Sequence, residues 1–286
     1  MILIADGGAS KTDWAFVHSD GNRRFFSTSG YNPYYQDSRD WQDEIKKILS
    51  RISEKDIHQV YYYGAGCSEG EKRTIIHSKL STLFPSSEIL VQDDLLGAAR
   101  AIWQHKPGGI CILGTGTHTG YYDGTVITSN VTPMGFLIGD HGSSANLGRR
   151  FLHDYLYHQF PRELESEIEK FMRKEPARIK EELYQSATPN RYLGKFTKIL
   201  SHCLTYPEVK ALVKSEFSAL FSVQIIPLFQ GLPLREISFT GSVAYYFRDI
   251  LIQVAAENGF RVNHIEQYPI RLLVDYHFNL KNQNNG

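Results

Sequence analysis

The residues of this chain best equipped for chemistry sit in four glycine-containing segments: residues 6–12, 114–117, 135–148 and 240–243. The first reads Asp6-Gly7-Gly8-Ala9-Ser10-Lys11-Thr12, the second Gly114-Thr115-Gly116-Thr117, and the fourth contains Gly241-Ser242. Within the third lies Gly139-Asp140-His141-Gly142-Ser143. Glycine reaches positive φ without steric cost, so each segment is a turn by residue type. The same freedom lets backbone N–H groups converge on an anion, to which a hydroxyl or an ammonium adds further hydrogen bonds. The first segment therefore has two readings, a hairpin turn and a phosphate cradle. Asp6 initiates the turn by residue type. Asp93 and Asp94 stand where an apolar run meets a helical pattern. Either is an N-cap by residue type, and either carboxylate is able to take the proton of an attacking hydroxyl.

Other chemistries find less support. GxxxxGK[ST] is absent, and the GxG at 114–116 lacks the partners of a dinucleotide fingerprint. His118 and His141 have no companions at metal-ligand spacing and read as polar-loop histidines. Cys67, Cys111 and Cys203 are odd in number and far apart, which suits buried thiols better than a disulfide framework or a zinc site. Lys plus Arg balances Asp plus Glu at 31 each, so no overall field favours nucleic acid or an anionic membrane. Asp6 interrupts the N-terminal apolar run, and no stretch approaches the roughly 18 apolar residues of a membrane span. These features point to the cytoplasm.

The elements that must position these residues follow from hydrophobic period. With 286 residues, 42% of them hydrophobic, the chain suffices for two domains of roughly 150 residues. Strands are expected at 2–5, 14–17 and 24–28, a helix at 38–52 capped by Asp37 or Ser38, and then strand 59–63, helix 71–84, strand 89–92 and helix 95–104. Such alternation argues for α/β architecture. At 107–109 the layout of residues 2–28 restarts, with strands at 110–113, 119–122 and 125–128, a topological duplication without sequence identity. Residues 144–229 read as helices broken at Pro161, Pro176, Pro189 and Pro207, the charge run at 163–174 being a solvated face. Strand 236–240, helix 245–258 and strand 261–264 follow, and 268–280 is either a helix or an extended return.

Taken in order, the four segments resemble the sugar kinase, Hsp70 and actin superfamily, and more closely its N-acetylglucosamine kinase branch, which includes the BadF/BadG-type ATPases. Residues 6–12 resemble the family's DGGGTKT, departing at Ala9 and Ser10. Residues 114–117 are similar to GTGS, 139–143 to GDEGS with His141 in place of Glu, and 239–244 to the adenosine motif ending in GSV. The resemblance implies two ribonuclease H-like, actin-like ATPase lobes around a central cleft: residues 1–106 with 268–286, and 107–267 with a helical insertion. It implies ATP and Mg²⁺ as cofactors, with Asp6, Gly7, Gly8, Ser10, Lys11, Thr12, Gly114, Thr115, Gly116, Thr117, Gly241 and Ser242 toward nucleotide and Asp6 toward the metal. Asp94 is the implied general base, in preference to Asp93. Asn32, Asp94, Met134, Gly135 and Asp140 are the implied sugar contacts, although Pro133 and Phe136 depart from the family's GWG and leave the exact sugar open. The implied reaction is ATP-dependent phosphorylation of N-acetylglucosamine, or a close amino sugar, at the 6-hydroxyl. Alternatives are N-acetylmuramic acid or glucosamine as acceptor, an activator-type ATPase, and a non-catalytic nucleotide- and sugar-binding sensor. No nucleic acid or membrane partner is expected, and a homodimer is left open.

Overall fold

The computed structural model describes all residues except 9, 32–37, 50–56, 68–69, 173–174, 233 and 285–286. It divides into two compact units: residues 1–107, 122–127 and 268–286 in the first, residues 108–121 and 128–267 in the second. Each is α/β, with a five-stranded mixed sheet.

In the first unit β1 (Ile2–Gly7), β2 (Lys11–Val17) and β3 (Arg23–Ser29) form an antiparallel meander. The helix α1 (Ser38–Leu49) leads to β4 (Gln59–Gly64), and α2 (Glu71–Leu83) leads to β5 (Glu88–Asp93). Parallel strands need crossover connections, and these helices supply them. The order is β3-β2-β1-β4-β5, so β1 is central, and its apolar residues Ile2 to Ala5 are buried on both faces. On one face an aromatic cluster fills the core, Trp41 meeting Tyr62 edge-on at 6.1 Å and Trp14 stacking on Phe26 at 5.9 Å. Against the other lie α3 (Asp94–Trp103) and the C-terminal helix, Ile270–Asn284. Arg100 donates to the Tyr63 phenol at 2.9 Å, and His277 pairs with the same oxygen at 2.9 Å. Burial and the neighbouring guanidinium push the His277 pKa down to about 3, so the imidazole there is neutral.

The second unit repeats the plan. Its strands β6 (Gly108–Leu113), β7 (Thr117–Tyr122) and β8 (Ile127–Val131) are followed by the helices α4 (Ser144–Leu156), α5 (Arg162–Glu169), α6 (Pro176–Gln185), α7 (Pro189–Gly194), α8 (Thr197–His202) and α9 (Pro207–Leu220). A π-helical turn (Phe221–Ile225) and α10 (Ile226–Leu228) lead to β9 (Glu236–Thr240), α11 (Ser242–Tyr246), α12 (Arg248–Glu257) and β10 (Arg261–Glu266). The sheet order β10-β9-β6-β7-β8 is the first sheet's order in reverse reading, which bears out the duplication. By length and composition one helix among the described residues, Pro207–Leu228, is apolar enough to cross a membrane, where the sequence reading found no such stretch. Here it packs Val209, Leu212, Val213, Phe217 and Leu220 into the core. Its buried Glu216 accepts from Asn146 Nδ2 at 3.1 Å and faces Arg150 at 3.5 Å.

Several elements depart from expectation. The strand expected at 125–128 begins at Ile127, because the Asp123 carboxylate accepts from the backbone of Thr125 and Val126 and holds the turn open for longer. The helix expected at 245–258 is two helices broken at Phe247, whose φ of −109° and ψ of 22° leave the helical region. His118 lies within β7, next to Asn130 Nδ2 at 3.3 Å, rather than in a loop. Of residues 268–280, those from Ile270 onward belong to a helix, not an extended return. Asp37 lies outside the described residues.

Where α4 crosses α7, Gly148 meets the Leu193 carbonyl so closely that an added Cβ would fall on that oxygen. Gly148→Ala should therefore lower stability by about 2 kcal/mol or more. An unchanged urea midpoint would show that the two helices separate without loss.

Candidate active site

Strand register gathers the first unit's candidate residues at one end of the central strands. Asp6 lies beside Tyr63, which lies beside Gln92, and the next set across is Gly7, Gly64 and Asp93. The β1–β2 bend closes through the Gly8 N–H donating to the Lys11 carbonyl at 2.9 Å. Gly7 passes over the buried Tyr62 phenol, whose oxygen would stand 2.5 Å from any Cβ there. Only glycine admits that approach. Ser10 and Lys11 are exposed on the bend, whereas Thr12 is fully buried.

The antiparallel register also sets Asp6 directly opposite Asp13. Like charges so placed repel. The structure offsets this by giving Asp13 Oδ1 two donors, Lys11 Nζ at 2.7 Å and Ser27 Oγ at 2.6 Å. The Lys11 ammonium also lies 4.9 Å from the centre of the Tyr268 ring. Asp6 remains in a costly environment. Burial, then Asp13, then Asp94 raise its pKa to about 7, against the lowering pull of Lys11.

Asp93 and Asp94 divide their tasks. Asp93 is extended, with φ −70° and ψ 145°, and its Oδ1 accepts from the Leu95 N–H at 3.0 Å, the geometry of an N-cap. Asp94 is the first helical residue and is 9% exposed.

In the second unit the segment 114–117 and the loop ending at Ser143 are folded onto each other. Asp140 adopts φ 56°, rare for a residue other than glycine, and is 8% exposed. Its carboxylate packs against Gly116 and accepts a backbone hydrogen bond at Thr117; burial raises its pKa and that bond opposes the rise. Thr117 Oγ1 donates to the His141 carbonyl at 2.9 Å. The first N–H groups of α4 donate back to the carbonyls of Gly114, at 2.9 Å, and Thr115, at 3.4 Å, while Ser143 caps the helix through Asn146. Met134 is exposed, and Gly135, at φ 75°, accepts from the Gly139 N–H at 2.8 Å, closing the loop that carries Asp140. Gly241, at φ 103°, presses on the Leu113 carbonyl and donates to Glu266 at 2.9 Å. The N–H groups of Gly8, Gly114 and Gly241 thus already serve the carbonyls of Lys11, Gly116 and Glu266. Ser242 opens α11 and lines a cavity of about 350 Å³ with Ser144, Val243, Tyr246 and one face of α8. Of the sequence candidates, Asn32 lies outside the described residues, as does Ala9.

No family model and no curated protein matches this chain. Among solved structures, a candidate N-acetylglucosamine kinase from Porphyromonas gingivalis is 35% identical over 98% of this chain and 99% of its own, with a TM-score of 0.89. The chain belongs to the N-acetylglucosamine kinase family. A candidate N-acetylglucosamine kinase from Chromobacterium violaceum, 14% identical over 96% of this chain and 98% of its own at a TM-score of 0.71, shares the fold. So does a ROK family glucokinase from Streptomyces griseus, solved with glucose and AMPPNP, 14% identical over 93% of each chain at a TM-score of 0.54.

Sequence reasoning about this kinase missed Asp13, Tyr62 and the α8 residues of the cavity. Asp13 was legible in principle, since a hairpin that pairs Gly7 with Thr12 pairs Asp6 with Asp13. Tyr62 signalled nothing, because a buried aromatic in a strand is ordinary core. The three thiols are buried as expected, and burial pushes Cys67 and Cys111 up to about 12.

The raised Asp6 pKa has a consequence for the kinase's stability. A carboxyl that holds its proton more tightly when folded favours the fold fully below its unfolded pKa, near 3.8, and that contribution is lost as pH rises through about 7. Asp6→Asn removes the penalty. The ligand-free variant should melt at least about 2 °C above wild type at pH 8, with the gap closing toward pH 4. A pH-independent gap would assign the gain to some other cause.

Proposed function

We propose that this sugar kinase transfers the γ-phosphate of ATP to the 6-hydroxyl of N-acetylglucosamine or a close amino sugar, in the cytoplasm and with Mg²⁺. The observation that carries the reading is the division of labour at α3: Asp93 satisfies the helix end, so the buried Asp94 carboxylate is not needed as a cap. A base there accepts the proton of the attacking hydroxyl, for about 10²–10⁴-fold in rate. Positioning and charge neutralisation supply most of the remainder. The amino-sugar acceptor is drawn from the Porphyromonas gingivalis and Chromobacterium violaceum proteins, and ATP from these kinases and the AMPPNP-bound glucokinase.

The donor set at Asp6 fits a hard divalent cation, since carboxylate oxygens are its preferred ligands and a positive charge relieves the repulsion that raises the Asp6 pKa. Asp6 would hold the ion through water, and the ion would neutralise phosphate charge. Ser10 and Lys11 are exposed and suited to β- and γ-phosphate oxygens, with Gly7 and Gly8 letting the chain approach. Thr12, being buried, supports the bend. In the second unit Thr115, Gly116 and Thr117 are assigned to phosphate, and Gly241 and Ser242 to the nucleoside beside the cavity. Asp140, Met134, Gly135 and Asn32 are assigned to the sugar. We take residues 1–106 with 268–286, and 107–267, as the functional lobes.

Two adjacent amide substitutions test the base. Asp94→Asn should lower kcat by about 10²–10⁴-fold with little change in melting temperature. Asp93→Asn should leave kcat within about threefold, because Asn caps a helix as well as Asp. Equal losses from both would remove the assignment. In a coupled ADP assay across amino sugars, N-acetylglucosamine should give the highest kcat/KM; a clear preference for glucosamine or N-acetylmuramic acid would reassign the acceptor.

A further inference from the structure

Glu216 stands in the apolar face of α9 among Val213, Phe217 and Leu220, all buried with it. A carboxylate in such a place costs desolvation, and an apolar side chain of its size would fill the space without that cost. Its hydrogen-bond partner is Asn146, in the first turn of α4 and also buried. Asn146 Oδ1 accepts from Arg149 Nε at 3.2 Å and from Arg149 Nη2 at 2.7 Å. A guanidinium only donates, so the amide is fixed with its oxygen toward Arg149 and its NH2 group toward Glu216. Nδ2 then needs an acceptor, and Glu216 Oε2 supplies it at 3.1 Å. The other carboxylate oxygen, Oε1, faces Arg150 Nη1 at 3.5 Å, and the same guanidinium meets Asp154 at 3.7 Å.

Asn146 is also the point at which two candidate segments of this unit are joined. Its backbone N–H donates to the Ser143 cap at 3.2 Å, and the Ser143 N–H donates to the Asp140 carbonyl at 3.0 Å. The two residues before it, Ser144 and Ala145, hold the carbonyls of Gly114 and Thr115. One residue further along α9, Phe217 lies under Gly142, where an added Cβ would stand 3.2 Å from its Cδ1. Helix α9 thus supports the Asp140 loop at two points, by packing at Phe217 and by a directed hydrogen bond at Glu216. Packing sets a distance, whereas a hydrogen bond to an oriented amide also sets the rotation of α4 about its axis. We propose that Glu216 is a positioning residue of this kinase: through Asn146 it fixes the start of α4, and with it Asp140 and the 114–117 turn, in the geometry that phosphoryl transfer needs. The inference rests on the proposed assignment of Asp140 to sugar and of 114–117 to phosphate, and Glu216 belongs to none of the glycine segments.

The test is steady-state phosphorylation of N-acetylglucosamine by Mg-ATP, measured beside thermal melting on the full chain. Glu216→Met fills the space but leaves Asn146 Nδ2 without an acceptor, and kcat should fall about 10- to 100-fold with each KM within about threefold of wild type. Glu216→Gln, whose amide oxygen still accepts, should keep kcat within about threefold. Asn146→Ala cuts the same bond from the α4 side while leaving the backbone donor of the Ser143 cap, and it decides the matter if Glu216→Met does not fold. Its loss of kcat should be as large, and the double variant should lose no more than the larger single loss. Val209→Ala, a truncation elsewhere in the buried face of α9, should lower the melting temperature by about 4 °C or more and leave kcat within about twofold. Unchanged kcat in Glu216→Met or Asn146→Ala, additive losses in the double variant, or an equal kcat loss in Val209→Ala would overturn the inference and leave the kinase reading standing. A wild type that transfers no phosphate to N-acetylglucosamine or another amino sugar would overturn both.

Discussion

In-register parallel pairing beside a hairpin is the constraint on which the molecule's chemistry depends. Because β4 and β5 run parallel to β1, and β2 returns from it through a tight bend, the bend and the ends of three strands share one edge of the sheet. Side chains that are far apart in sequence then stand within a few strand spacings, each about 4.8 Å. The second sheet obeys the same rule, with Ile112 beside Thr240 and Thr240 beside Glu266. In both units most of the candidate residues lie at or next to a strand end, Asp6 and Gly7 closing β1, Asp93 closing β5, and Gly114 and Gly241 following β6 and β9.

The first unit meets the cost of that convergence in electrostatics. Asp6, Asp13 and Asp94 are drawn together by register and by the start of α3, and the shared lysine and serine of Asp13 relieve only part of the repulsion. A fold selected for stability alone would not keep a carboxyl with a pKa near 7 at such a place. Retaining it makes sense where a cation or a proton acceptor is needed, which is the usual tension between function and stability. The second unit uses a different device. Its segments are pinned by backbone bonds among Gly114, Thr115, Ser144 and Ala145, and a buried acid at positive φ, Asp140, is clamped by Thr117.

Much of the fold was legible because its signals are local. Central strands announced themselves as continuous apolar runs, and the repeated strand, turn, strand layout at 2–28 and 110–128 anticipated two sheets of one order. The bends were legible for the same reason: a Cβ at Gly7 would meet the Tyr62 phenol and Gly241 sits at positive φ, so the sequence carries glycine at both. Misread elements were those decided by a side chain acting on its neighbourhood. The Asp123 carboxylate delays β8, and the backbone at Phe247 splits a helix whose period continues across the break.

Residue types and their spacing carry the α/β class, the order of the glycine segments and the set of acids and hydroxyls within them, since residue type limits what a backbone turn can be. Residue type and spacing did not separate Asp93 from Asp94, because both are good caps and which of them serves as one turns on where α3 begins in space. The pairing of Asp6 with Asp13 needed a register, and the burial of Thr12 beneath the bend needed a packed core. The α8 side chains gave no signal in the sequence: Thr197, Ser201 and His202 lie in a helical stretch, and folding pairs each of them with a backbone carbonyl. Hydrogen-bond direction and electrostatic environment arise from distances between groups remote in the chain, and only the tertiary structure sets those distances.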